Sequence, residues 1–304
     1  MSRRVARVVF AVVAFGGLVW ATVSQWSRVA DTLGSLSIAS LVLGAVAMAA
    51  GTFCSFPAWR AILADLGSPL PARSAFGIFF LAQLGKYIPG SLWPVLAQME
   101  LGKAHGVPRK RSGVALLLTM AMGLTAAGLV AAATLPFVAS LSAYRWVLVV
   151  PAVGLVVLHP AVFRWVTTRA LRLVGRGPLE GSLSGRGVAV ALAWSIAQWL
   201  GYGAAVWLVA RELPGSPDGL FLLATGAYAL AWSAGFLFVV APAGAGVREG
   251  GIVLLLTPSF GAGPALGIAL VARLLATVGD LVWGVGAVVT RGTRGQDVPE
   301  SGRQ

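Results

Sequence analysis

The chain has 304 residues, 58% apolar and 11% charged, with 39 glycines and a mean hydropathy of +0.85. An ordinary soluble domain carries about 25% charged residues, so a soluble enzyme is excluded. The net charge of +13 raises nucleic acid as a partner, but the basic residues sit at the ends of apolar blocks, not along one polar face, which excludes it.

The apolar blocks approach or exceed the roughly 20 residues a helix needs to cross hydrocarbon. The first, Val8 to Ser24, follows Arg3, Arg4 and Arg7. Its run is long for a cleaved leader and Ala21-Thr22-Val23 matches a small-x-small cleavage site only loosely, so it reads as a retained first span. Leu36 to Ala58 is the second span. Ala75 to Gln98 is apolar but interrupted at its centre by Lys86 and the pair Pro89 and Gly90. Val114 to Ala139, Trp146 to Phe163 and Val188 to Ala210 are three further full spans. Gly219 to Pro258 is broken by Pro242, Gly244, Gly246, Arg248, Glu249, Gly250 and Gly251, although Gly219 to Ala241 alone is long enough to cross. Ala265 to Thr290 closes the series. The fold expected is an all-α polytopic membrane protein with about six full spans and two broken or re-entrant helical hairpins. Residues 1–291 form a single membrane domain, and 292–304 a polar, disordered cytoplasmic tail.

Cytoplasmic loops are enriched in Lys and Arg. If both broken regions are hairpins, 17 basic residues lie on the cytoplasmic side and 3 (Arg28, Arg145, Arg211) outside. Making both regions single crossings gives 10 against 10. The double-hairpin topology places both termini in the cytoplasm and divides the chain into inverted halves, 1–140 and 141–291. The use of 20 Arg against 3 Lys, with no Asn, suits a GC-rich bacterial genome and a bacterial inner membrane. Cys54 has no disulfide partner, and His105 and His159 build no zinc site, so neither metal nor cofactor is expected. Trp20, Trp59, Trp146, Trp165 and Trp207 read as interfacial anchors, and Phe163 to Arg176 as an interfacial helix or a plain basic loop. Gly263 and Gly267 form a small-xxx-small spacing that permits close helix contact.

The breaks carry the chemistry. Pro89 removes an amide donor and Gly90 permits a sharp turn, and freed backbone must be satisfied by protein or a water-filled cavity. Lys86 there is a candidate contact for an anion, against snorkelling to the interface. In the second break the glycine-rich turn precedes a helix start, whose amides favour an anion, and Arg248 adds a planar donor fork. Glu249 either neutralises a neighbour or binds a proton, and an ion pair that merely holds the hairpins together is the plainer reading. Arg273 and Asp280, 7 residues apart, share roughly one helix face. Two arrangements suit them: pairing with Glu249 and Arg248, or with each other through water; for Arg273, snorkelling outward is a third.

Gly85-Lys86-Tyr87-Ile88-Pro89-Gly90 followed by Trp93, with Pro242-x-Gly244-x-Gly246-Val247-Arg248-Glu249 and Arg273, resembles the lysylphosphatidylglycerol synthase transmembrane-region family of flippase-like membrane proteins. The resemblance spans nearly the whole chain and departs at Gln98-Met99-Glu100, where many relatives carry a basic residue. It implies a relative of the lipid-translocating half of aminoacyl-phosphatidylglycerol synthases. With no soluble stretch above about 25 residues, a stand-alone member without the synthase domain is expected.

The first expectation is a translocase for an anionic lipid or lipid-linked glycan, not an enzyme. Lys86, Tyr87, Pro89, Gly90, Trp93, Gly244, Gly246, Arg248, Glu249, Arg273 and Asp280 form its path. The second is a scaffold for a lipid synthase or glycosyltransferase, docked on Lys103 to Arg111. The third, a polyprenyl-phosphate-dependent transferase, has only Asp31, Glu212 and Asp218 to draw on in the outer loops.

Overall fold

The computed structural model describes residues 34–87, 93–135, 183–238, 244 and 246–292. Among them are eight α-helices and no strand: α1 Ile38–Asp65, α2 Ala72–Gln83, α3 Trp93–Lys103, α4 Arg109–Thr134, α5 Gly185–Ala210, α6 Leu220–Leu237, α7 Val247–Phe260 and α8 Ala262–Gly292. A 3-10 turn, Leu84–Tyr87, ends the α2 limb. Helices α1, α4, α5, α6 and α8 are each long and apolar enough to cross a membrane. The chain is an all-α polytopic membrane protein. Val8 to Ser24, Trp146 to Phe163, Phe163 to Arg176 and tail residues 293–304 lie outside the described residues, as do Trp20, Trp146 and Trp165, while Gly292, expected to open the tail, ends α8.

The expected span at Leu36 to Ala58 continues to Asp65, through Pro57, because its last two turns bury Trp59, Ile62 and Leu63. They join an aromatic cluster in which Phe79 lies 5.3 Å from Trp59 and Phe80 stacks on Trp283 at 5.5 Å. Trp59 is therefore a fully buried core residue and not an interfacial anchor. A second cluster joins α5 to α8 around Trp199, Tyr228, Ile252 and Leu256.

Helices α1 and α5 run antiparallel, each locked to the other's start. Ser184, the N-cap of α5, donates from its amide and hydroxyl to Asp65 at the end of α1, both at 2.8 Å. Ser37, the N-cap of α1, donates in the same way to Glu212 just past α5, at 2.5 and 2.6 Å, and Ser40 adds its hydroxyl. Their midpoint is a backbone contact: an added Cβ on Gly201 would lie 2.9 Å from the Gly51 Cα. Overpacking at such a contact costs about 1–3 kcal/mol. Gly201→Val is expected to lower the melting temperature in detergent, whereas Gly246→Ala would meet no atom and only strain a positive φ of 83°. Unchanged melting of Gly201→Val would refute this close approach.

The Ser37 and Ser40 donors push the Glu212 carboxyl from 4.5 down to about 2. A depressed carboxyl contributes stability above its unfolded pKa and loses it as pH falls through the folded one. The deficit of Glu212→Gln in detergent melting should therefore be constant above pH about 4.5 and vanish towards pH about 2. A deficit independent of pH over that range would show that the carboxylate's charge is not what matters.

The bundle ends differ in charge. At one end lie the end of α1, the starts of α2, α4 and α5 and the ends of α3 and α8, tied by Arg111 to the Gly67 carbonyl (3.1 Å) and by Arg73 to the Thr290 carbonyl. That end carries Arg60, Arg73, Lys103, Arg109, Lys110, Arg111 and Arg186 against Asp65 and Glu100; the other carries Arg211 against Glu212 and Asp218. The α2–α3 pair starts and ends at the basic end, and the α6–α7 pair starts and ends at the opposite one. The helix-to-helix packing is also self-consistent: exchanging α1–α4 with α5–α8 turns each contacting pair into another contacting pair, α2 on α8 matching α6 on α4.

Candidate functional site

All eight helices contribute to a cavity of about 400 Å³. Its charged residues lie deep in the bundle. At a rise of about 1.5 Å per residue, Asp280 is about 15 Å from Thr290, and Arg273 about 16 Å from the start of α8. Lipid offers such groups no partner, so they face inward and pair.

Two ion pairs tie the broken regions to α8. Lys86, in the 3-10 turn, reaches both oxygens of Asp280 at 2.7 and 2.8 Å, and the Tyr87 hydroxyl donates to the same carboxylate at 2.5 Å. Near the other break, Arg273 donates to Glu249, whose second oxygen accepts the Gly246 amide at 2.6 Å. Glu249 thereby closes the first turn of α7 on itself after Gly244 and Gly246, both at positive φ. Arg273, Thr277 and Asp280 form one face of α8 at helical spacing and line the cavity.

Arg248 is left over. Its Nε lies 3.8 Å from Glu249, which is already bonded to Arg273, and no side chain among the described residues accepts a hydrogen bond from it. Three cations, Lys86, Arg248 and Arg273, line the cavity beside one carboxylate, Asp280; with Glu249 behind the wall, the five groups together carry one excess positive charge. Around them stand Thr52, Gln198, Tyr202 and Tyr228, with Thr52 and Tyr202 hydroxyls 3.3 Å apart. The remaining wall is mainly apolar, with Leu116, Leu117, Met120, Trp232, Leu237 and Phe238, and also carries Ser55, Gln83 and Thr119.

Compared with known families, residues 5–284 match the one described as lysylphosphatidylglycerol synthase TM region. The chain belongs to this family. No curated protein matches it. The lysylphosphatidylglycerol synthase TM region match covers both breaks, the α1–α5 axis and α8 through Asp280. This member is accordingly a multi-pass membrane protein of a lipid-related, flippase-like family.

Of the residues singled out in the sequence, Lys86, Tyr87, Gly244, Arg248, Arg273 and Asp280 line the cavity, and Glu249 braces it from behind. Gly246 shapes the turn before α7 and does not line it. Pro89 and Gly90 lie outside the described residues. Trp93 opens α3 and is exposed; the next residue, Pro94, lines the cavity in its place. Snorkelling of Lys86 and Arg273 is overturned: each side chain turns to a buried carboxylate, which lipid could not supply. Sequence reasoning missed Gln198, Tyr202 and Tyr228. Gln198 and Tyr202, four residues apart in a helix whose other polar side chains are only Arg186 and Ser195, were the available signal.

Proposed function

We propose that this protein translocates a lipid, or a lipid-linked glycan, with an anionic head group across a bacterial inner membrane. The observation that carries the reading is Arg248: a cavity-facing guanidinium with no hydrogen-bond acceptor among the described residues, where two hairpins from opposite ends approach the same helix. A guanidinium fork suits a phosphate oxygen pair. The basic end faces the cytoplasm, as loop enrichment in Lys and Arg requires, with both termini on that side. The two halves are inverted repeats, which accounts for the exchangeable packing and for breaks at matching places.

In this mechanism the head group binds Arg248 first and competes with Asp280 for Lys86. Release of Asp280 frees the α2–α3 hairpin from α8, while the Glu249–Arg273 pair keeps the α6–α7 hairpin attached. Opening alternates between the two ends as one latch yields and the other holds. These residues make and break no covalent bond.

Purified protein in liposomes with traces of fluorescent phosphatidylglycerol and, separately, fluorescent phosphatidylcholine tests this. Dithionite added outside should bleach phosphatidylglycerol past the half expected for empty liposomes and leave phosphatidylcholine at that half. Equal movement of both lipids would remove the anionic specificity. No movement of either, with a lipid synthase or glycosyltransferase co-purifying in stoichiometric amount, would replace translocation with scaffolding.

A further inference from the structure

We infer that the cavity opens sideways into the hydrocarbon through a mouth formed by Tyr87, Leu117, Leu237 and Phe238, and that this mouth is the subsite for the substrate's hydrocarbon chain. The inference rests on the translocase reading for the head group and adds where the tail goes. Among the described lining residues these four alone are exposed, at 40%, 57%, 67% and 50%. They come from the 3-10 turn after α2, from α4, and from the last turn and C-cap of α6.

Their depth makes the opening lateral. Leu237 lies about 26 Å along α6 from its start at one end of the bundle, and Leu117 about 12 Å along α4 from its start at the other. An opening at that depth meets acyl chains and no aqueous phase. Three of its four side chains are purely apolar, and the fourth, Tyr87, has its hydroxyl on Asp280, so the ring faces the mouth while the oxygen belongs to the charged cluster. The cavity therefore joins a cationic part, Arg248 and Lys86, to an exposed, mainly apolar rim that continues into the membrane. A soluble anion would use only the first. An amphiphile whose head group enters while its chain stays in the bilayer uses both, and the chain never crosses the charged cluster.

The test is photo-crosslinking of the full chain in liposomes with phosphatidylglycerol bearing a diazirine near the end of one acyl chain, with the matching phosphatidylcholine in parallel. Adducts are located by mass spectrometry in peptides carrying Leu117 and Leu237–Phe238. The reference is the peptide carrying Val42 and Val46, exposed on α1 and away from the cavity. Phosphatidylglycerol should label the mouth about tenfold over the reference, as one charge-assisted head-group contact allows, and phosphatidylcholine should not. Arg248→Ala should bring the mouth down to the reference level. Equal labelling of mouth and reference, or enrichment that survives Arg248→Ala, means annular contact only and overturns the inference. So does competition by soluble glycerol phosphate as effective as by unlabelled lipid, which would make a free anion the ligand. Specific mouth labelling without leaflet movement would retain the subsite and defeat the translocase reading; movement without mouth enrichment would do the reverse.

Discussion

Glu249→Ala is expected to cost the protein about 3–5 kcal/mol of stability, the penalty for removing one partner of a buried ion pair. The carboxylate is 7% exposed and serves three groups at once: Arg273, the nearby Arg248 and the Gly246 amide. Without it two guanidinium groups share a low-dielectric wall whose one remaining carboxylate, Asp280, is already held by Lys86, and the start of α7 loses its side-chain acceptor. The result should be a large fall in melting temperature and in the monodisperse fraction after detergent extraction. Glu249→Gln keeps an oxygen for Gly246 and should fall less. Glu249→Gln combined with Arg273→Met removes both charges and should recover part of the loss, since breaking a buried pair is worse than deleting it. A Glu249→Ala protein as stable as wild type would show that the α7–α8 ion pair does not hold the second hairpin.

Arg248→Ala should behave in the opposite way. No side chain among the described residues accepts from Arg248, and its loss relieves the excess positive charge of the lining, so the melting temperature should stay close to that of wild type. Lipid movement should fall at least about tenfold, since charge-assisted hydrogen bonds contribute about 1.5–3 kcal/mol each and about 1.4 kcal/mol is a factor of ten. Arg248→Lys retains the charge and loses the planar fork, and should fall between the two. Loss of folded Arg248→Ala protein to the extent expected for Glu249→Ala would assign Arg248 to architecture.

The contrast between these neighbours shows what sequence could supply. Hydropathy located Leu36 to Ala58, Val114 to Ala139, Val188 to Ala210 and Ala265 to Thr290 as helices α1, α4, α5 and α8, because a span is a local property of about 20 residues. Pro, Gly and charge within apolar runs located both breaks for the same reason. The extension of α1 to Asp65 was not legible, since it depends on Phe79 and Phe80 arriving from another helix. Trp59 was misassigned on the same ground: its position along the chain suited an interface, and only packing reveals the core around it.

Pairing within the site was open for a related reason. Spacing put Arg273 and Asp280 on one face of α8, but which carboxylate meets which cation depends on where each hairpin tip stops beside that face. The 3-10 turn brings Lys86 and Tyr87 to Asp280, and the turn at Gly244 and Gly246 brings Glu249 to Arg273. The Gly51–Gly201 contact hides among 39 glycines, and among the described ones most make no such backbone approach.

The part Arg248 plays in translocation is measured by following fluorescent phosphatidylglycerol between leaflets in liposomes holding equal amounts of folded wild-type or Arg248→Ala protein. Movement is expected with wild type and at least about tenfold slower movement with Arg248→Ala, at matched melting temperatures. Equal rates for the two proteins would contradict it.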